Sequence, residues 1–373
     1  MASQEIPIAI IGAGPAGLSA GLHLIKFDPS LANQILVLEK AHFPRPKLCG
    51  GGLTEDAETI LHSLNLEINE IPNQVSPTIH FRTLGFDFDY KRKHAHTLRI
   101  VSRIEFDAWL ASKATERGVK IMQGVTVQRI SQQDGKCHLQ TTIGEIVCRI
   151  VVLAEGSNGT LSRQVFPERL ARKARLIEAF IPSPSNAPIN ATFDYSQIPA
   201  GLPGYYWDFP TPNGQRSVGL FAADMGSDPK GDLLEKIKAW HPQLAKPTFK
   251  GHPILQFTPR HNNQAGQVIA IGDCAGADPL LGEGISFALG SGCYAARHIV
   301  QAISDRNGEV SSYQWEIIKS SMGRSLYIRW CIGQIIFNAR HSWLQRLIWK
   351  TLNPVVQWIA RNWLLGWAKK INR

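Results

Sequence analysis

Paired cysteines are missing. The 373 residues hold six, Cys49, Cys137, Cys148, Cys274, Cys293 and Cys331, with no CxxC spacing among them. That excludes the usual frame of a zinc ribbon or an iron–sulfur cluster and argues against a disulfide scaffold. No run of about 18 apolar residues occurs, so nothing reads as a membrane-spanning helix. The opening MASQEIPIAIIGAGPAGLSAG lacks the basic start, apolar run and small-residue cleavage site of an export signal, and a cytoplasmic protein is expected. Acid is missing from one end. Residues 317–373 carry ten Lys or Arg and no Asp or Glu, and the whole net charge of +10 resides there. The same stretch holds six of the ten tryptophans: Trp330, Trp343, Trp349, Trp358, Trp363 and Trp367.

What is present points to a globular chain of more than one domain, with 44% hydrophobic and 19% charged residues. Residues 6–11 are a short apolar run, 12–17 a glycine turn, 18–25 a helical stretch and 35–38 a second apolar run, which together read as a βαβ unit. Residues 106–117 read as a helix, 119–127 as a strand, and 138–142 with 145–153 as a hairpin leading into a buried strand. Pro-containing stretches at 181–188 and 199–204 divide the middle into loops between strand-like runs at 191–195 and 217–222. A buried strand returns at 268–271, followed by a glycine-rich turn and a helix over 284–302. Beyond Tyr313 only helical patterns remain, with Val355, Ile359, Trp363 and Trp367 at i+4 spacing after Pro354.

The first chemical motif is GAGPAG, residues 12–17. Gly12, Gly14 and Gly17 follow a strand and open a helix, with Pro15 and Ala16 between. Bare backbone there lets a pyrophosphate approach the free N–H groups of the helix start. Glu39, 22 residues past Gly17 at the end of the second strand, is placed to accept from ribose hydroxyls. The second motif is GDCAGADPLLGEG, in which Asp273 directly follows a buried strand and a Gly282–Gly284 turn enters a helix at Ile285. With Gly272 this suits a ribityl chain and a flavin ring, or in the plainer reading a capped helix start. A third turn, Ala154-Glu155-Gly156, follows the strand at 150–153.

In their order, and with Arg103 in VSRIEFDAWL, these turns resemble the FAD enzymes of the para-hydroxybenzoate hydroxylase and glutathione reductase superfamily. Hydroxylases of that group carry Asp where Glu155 stands. Two further stretches, PRPKLCGGGL (44–53) and YYWDFP (205–210), resemble the PxxKxCGG and YxWxFP motifs of the geranylgeranyl reductase family. Thr211 follows where its members often carry Lys. The resemblance implies an α/β fold: a discontinuous Rossmann-like FAD-binding domain (1–75, 100–170, 262–305), an inserted antiparallel-sheet substrate domain (76–99, 171–261) and a C-terminal helical tail (306–373). It implies FAD bound through Gly12, Gly14, Pro15, Ala16, Gly17, Glu39, Lys40, Lys47, Cys49, Gly50, Arg103, Val125, Glu155, Gly272, Asp273, Gly282, Gly284 and Ile285. It also implies reduction of carbon–carbon double bonds in isoprenoid chains, with NADPH or another reductant as donor, a ferredoxin-type protein included.

Alkene reduction needs a hydride and a proton in a dry pocket. Cys49 in its glycine turn is one candidate acid, although an inert buried thiol is the common reading of a lone cysteine. Tyr205 and Tyr206 are the alternatives. Tyr205, Trp207 and Phe209 alternate along a strand and, with Pro210, are candidates for the wall of an elongated apolar pocket, or for an ordinary aromatic core. Burying a twenty-carbon chain from water offers about 16 kcal/mol, but from a bilayer almost none, so such an enzyme gains by sitting at the membrane. The Trp-rich basic tail is expected to provide that peripheral contact, the alternative being a packed tail with a solvated basic face. Lys91, Arg92, Lys93, His94 and His96 read as a solvated turn. No nucleic-acid module and no metal site accompany the basic charge. Two rival readings share the fold: a flavin-dependent monooxygenase or halogenase of small aromatics, and a non-catalytic flavin-bearing lipid- or partner-binding protein.

Overall fold

The computed structural model describes residues 6–92, 96–168, 173–184, 187–223, 229–242, 247–304 and 313–371. The all-apolar strand Ile6–Ile11 sits at the centre of an eight-stranded sheet, pairing in parallel with Ile35–Glu39 on one side and Gly144–Leu153 on the other. Val268–Ala270 adds a further parallel strand beyond Gly144–Leu153, so residues 260 positions apart share one sheet. Where these strands pair in parallel they are buried on both faces, which is why residues 8–11, 35–38, 150–153 and 268–270 read as apolar runs.

Two helices, Pro15–Phe27 and Ile285–Ser304, cross one another on this sheet. They approach closely because Gly292 presents bare backbone: a Cβ there would stand 2.6 Å from the Ala16 carbonyl oxygen. This is the Rossmann-like layer.

A seven-stranded sheet runs Lys250–Leu255, Lys173–Pro182, Gln215–Ala222, Gly204–Pro210, Ala191–Asp194, Thr78–Arg82 and Phe88–Lys91, antiparallel except where Ala191–Asp194 meets Thr78–Arg82. A small third sheet joins Gly52–Leu53, Leu98–Val101 and Asn73–Ser76. The expected boundary between 99 and 100 therefore falls inside the Leu98–Val101 strand. The tail is helical, with Tyr313–Lys319, Ser321–Asn338, Ser342–Arg346 and Asn353–Ile359 followed by a last turn at Trp367–Lys370. Trp349 and Leu364 from this tail share an apolar layer with Tyr195, Tyr205 and Phe221 of the seven-stranded sheet.

Three expectations are corrected. Residues 119–127 are not one strand: Lys120–Gln123 ends at Gly124, whose φ of +74° leaves the extended region, and Val127–Gln133 begins a separate hairpin. The ridge from Val355 does not reach Trp367, because Leu365 is extended and Gly366 has φ +79°, turning Trp367 inward onto Phe287. The basic turn is not simply solvated: Arg92 pairs with Glu55 at 2.7 Å and His96 with Glu58 at 2.8 Å, while Lys93 and His94 lie outside the described residues.

Candidate active site

The C-terminal ends of the parallel strands open into a cleft of about 580 Å³. Gly12, Gly14, Pro15 and Ala16 line it where Ile6–Ile11 passes into its helix. Gly12 has φ +103°, and a Cβ there would run into the Ala154 carbonyl, so only glycine fits. Gly14 opens onto the cleft, and no side chain caps the helix it begins, leaving the first N–H groups free for an anion. Glu39 lines the same cleft, held by the backbone N–H of Ala13 at 2.8 Å and of Ala41 at 3.0 Å. Lys40, Lys47, Cys49, Arg103, Val125, Glu155, Asp273, Gly282, Gly284 and Ile285 also line it. A bare glycine cradle, uncapped helix N–H groups and a fixed carboxylate at the strand end are what FAD requires, so the residues present fit the cofactor.

Several expected contacts lie elsewhere. Gly17 is outside the cleft lining: it lets the helix pack on the Gly12 carbonyl. Gly272 makes room for Ala16, with a hypothetical Cβ 2.7 Å from the Ala16 methyl. Gly50 faces the aromatic strand, a Cβ there standing 3.1 Å from Phe209 and 3.3 Å from Trp207 Nε1. Glu155 lines the cleft, but its carboxylate accepts from the N–H groups of Leu161 and Ser162 and so caps the short helix Leu161–Val165.

The aromatic strand Gly204–Pro210 divides its residues by face. Tyr205, Trp207 and Phe209 point into the layer shared with the tail, whereas Tyr206 packs on the far side with Leu233, Ile237 and Trp240. Tyr206 is therefore not a candidate acid, since the period of two sends it to the opposite face from Tyr205. Tyr205 donates to the carbonyl of Leu281, the residue before the GEG turn, and burial raises its pKa far above the ordinary tyrosine value. Neither Tyr205 nor Trp207, Phe209 or Pro210 lines the flavin cleft itself.

Sequence reasoning missed four residues. Glu178, from the neighbouring strand Lys173–Pro182, is 1% exposed and accepts the Cys49 N–H at 3.1 Å and the Ser217 hydroxyl at 2.6 Å. Ser217 in turn accepts from Trp207 Nε1 at 3.0 Å, so one carboxyl group ties the cysteine turn to the aromatic wall. Burial raises the Glu178 pKa to about 7, against the opposing pull of its hydrogen bonds and of Arg103. Arg45 bridges Glu39 at 3.5 Å and Asp107 at 3.3 Å. Asp107 grips Arg103 through two hydrogen bonds of 2.7 and 2.9 Å. Burial disfavours the charged Arg103, but the Asp107 carboxylate opposes it and holds the guanidinium protonated. His252, 2.9 Å from Lys47 Nζ, is kept neutral by burial and by Lys47, its pKa lowered to about 4. Burial likewise lowers the pKa of Lys47, with Asp273 opposing. Two of the four had a signal in the sequence: Arg45 in the PRPK stretch, and Asp107 one helical turn after Arg103 in VSRIEFDAWL. Glu178 and His252 lie on strands with no motif around them.

No protein-family model matches the chain. It is 29% identical over 352 residues to an uncharacterized protein of Methanosarcina barkeri, covering 90% of this chain and 84% of that one. It is 27% identical over 319 residues to the menaquinone reductase of Mycobacterium tuberculosis, covering 78% and 75%. Among solved structures it superposes on a geranylgeranyl bacteriochlorophyll reductase-like protein from Thermoplasma acidophilum with TM-score 0.81 and 19% identity over 98% of both chains. A flavin-dependent brominase superposes with TM-score 0.69 and 20% identity, covering 99% of this chain and 98% of that one. By its motifs, its fold and its relatives the chain is an FAD-dependent oxidoreductase, a flavoprotein that resembles the geranylgeranyl reductase family.

Proposed function

We propose that the protein reduces carbon–carbon double bonds in an isoprenoid chain of the geranylgeranyl type, with NADPH or a ferredoxin-type protein as the ultimate electron donor. The observation that carries this reading is the Cys49 turn. It lines the flavin cleft on one side, and on the other its neighbour Gly50 lies flat against Trp207 and Phe209, the start of an apolar aromatic layer. A substrate reaching Cys49 along that layer would be surrounded by aromatic carbon, as an alkene requires and a polar substrate does not.

Bound reduced FAD supplies the hydride. The chain's own part is the proton, the orientation and the exclusion of water. Cys49 Sγ holds the proton for the second alkene carbon, and the charge left on sulfur lies beside Arg103 and Lys47. Glu178 fixes the backbone of that turn. Tyr205 is held neutral by burial and braces the GEG turn, which keeps the cleft floor in place.

The brominase likeness supports a second reading, halogenation or hydroxylation of a small aromatic. Product mass separates the two. The flavoprotein, reduced and incubated with a geranylgeranyl lipid, should yield a product heavier by two hydrogens for each bond reduced. A lipid returned unchanged, together with oxygen- or halide-dependent modification of a small aromatic, would overturn the proposal.

A further inference from the structure

The C-terminal region has two unlike sides. The inner side is firmly attached: Trp349 is 5% exposed and lies against Tyr195 at 5.3 Å, while Trp367 is 4% exposed and stacks on Phe287 at 5.1 Å. Arg329, far from being part of a basic surface, is fully buried between Asp278 at 2.6 Å and Glu283 at 2.9 Å. The Asp56 carboxylate accepts the N–H groups of Gly366 and Ala368 and clamps the last turn.

The outer side faces water with its apolar groups. Trp343 is 65% exposed, Trp358 53% and Trp363 49%, with Leu347, Leu352 and Val355 also exposed. Trp358 and Trp363 meet edge to face at 5.3 Å, forming one ridge. The same segment carries the exposed cations Arg340, Arg346, Lys350 and Arg361, and no acid occurs anywhere in residues 317–373.

We propose that the outer side of residues 340–363 docks on the interface of an anionic membrane, the three indoles entering the headgroup boundary and the cations lying at the lipid phosphates. Indoles suit that boundary because each has an apolar body and an N–H for the polar zone, and cations are drawn to an anionic leaflet. A second copy of the chain is a poor occupant. A two-fold contact would set this acid-free surface against itself, with cation facing cation. A polar nucleic acid would leave the indole ridge and its aliphatic neighbours without apolar cover. The same segment's inner side roofs the aromatic layer that holds Tyr205, so a lipid at the bound membrane would lie about one helix diameter, roughly 10 Å, from that layer. The assignment goes beyond the catalytic reading, and its test reads no turnover, so each stands or falls alone.

The test is cosedimentation of the full flavin-loaded protein with vesicles of phosphatidylcholine alone or mixed with phosphatidylglycerol, with tryptophan emission followed in parallel. The protein should bind the phosphatidylglycerol vesicles with a blue shift, and added salt should weaken binding. Arg346→Gln with Lys350→Gln should weaken it about 25-fold, at roughly fivefold per cation. Trp343→Ser with Trp358→Ser and Trp363→Ser should abolish the shift and weaken binding at least tenfold, with flavin absorbance and melting temperature unchanged as the check on folding. Wild-type protein left in the supernatant with both vesicle types would overturn the proposal. So would variants that bind like the wild type, or a self-associated wild type that the Trp substitutions dissociate and vesicles ignore.

Discussion

Glu178 Oε2 lies 3.1 Å from the backbone nitrogen of Cys49, so a carboxyl group of the antiparallel sheet holds the turn that faces the flavin cleft. The two residues are 129 positions apart, Glu178 on a strand of the seven-stranded sheet and Cys49 in the turn before the Gly52–Leu53 strand.

Burial raises the Glu178 pKa from its ordinary 4.5 to about 7. An acid of this kind keeps its proton in the folded state while the unfolded chain releases it, so it costs stability as pH rises from about 4.5 to 7, by up to about 3 kcal/mol. Glu178→Gln removes that titration. Denaturant unfolding at pH 5 and pH 8 should show the variant gaining on the wild type as pH rises. A constant offset would show that Glu178 does not titrate in this window.

At the cradle, Gly12→Ala forces a Cβ into the Ala154 carbonyl at φ +103°. The purified variant should lose its flavin absorbance and melt lower, with a loss on the order of 1–3 kcal/mol. Glu39→Ala removes the acceptor for Ala13 and Ala41 and the cleft carboxylate expected to meet the ribose, and should weaken FAD about 10- to 100-fold in a reconstitution titration.

Arg329 is the sole cation paired with Asp278 and Glu283 among the described residues. Arg329→Met strands two buried carboxylates and should cost about 3–5 kcal/mol in urea unfolding. Combining it with Asp278→Asn and Glu283→Gln should recover much of that loss. If the single variant is as stable as the wild type, the buried cation is not needed.

These residues mark where the sequence was legible. The βαβ start, the paired glycine turns and Glu39 could be read because backbone approach to a phosphate restricts residue type at fixed spacing. The alternation Tyr205, Trp207, Phe209 was legible because a strand has period two, although the same period should have excluded Tyr206. Glu178 and His252 carry no local signal: their roles come from strand pairing, which sequence spacing does not encode. Arg329 was counted as surface charge because composition does not distinguish a solvated cation from one whose acids, Asp278 and Glu283, lie some 50 residues earlier.

Cys49→Ala should retain FAD, since backbone rather than the thiol holds that turn, yet slow prenyl reduction about 10²- to 10⁴-fold, the usual worth of a positioned acid. Tyr205→Phe should change the rate far less, and single-turnover rates for the two variants compare them directly. An unaltered rate in Cys49→Ala would move the proton source to water or to another group.

The most direct measurement is anaerobic: reduce the flavoprotein, add a geranylgeranyl lipid, and follow the oxidised-flavin absorbance alongside product mass. Reoxidation in step with saturation of one double bond per flavin is the predicted result. A flavin that stays reduced until oxygen is admitted, with every lipid headgroup offered, would contradict prenyl reduction.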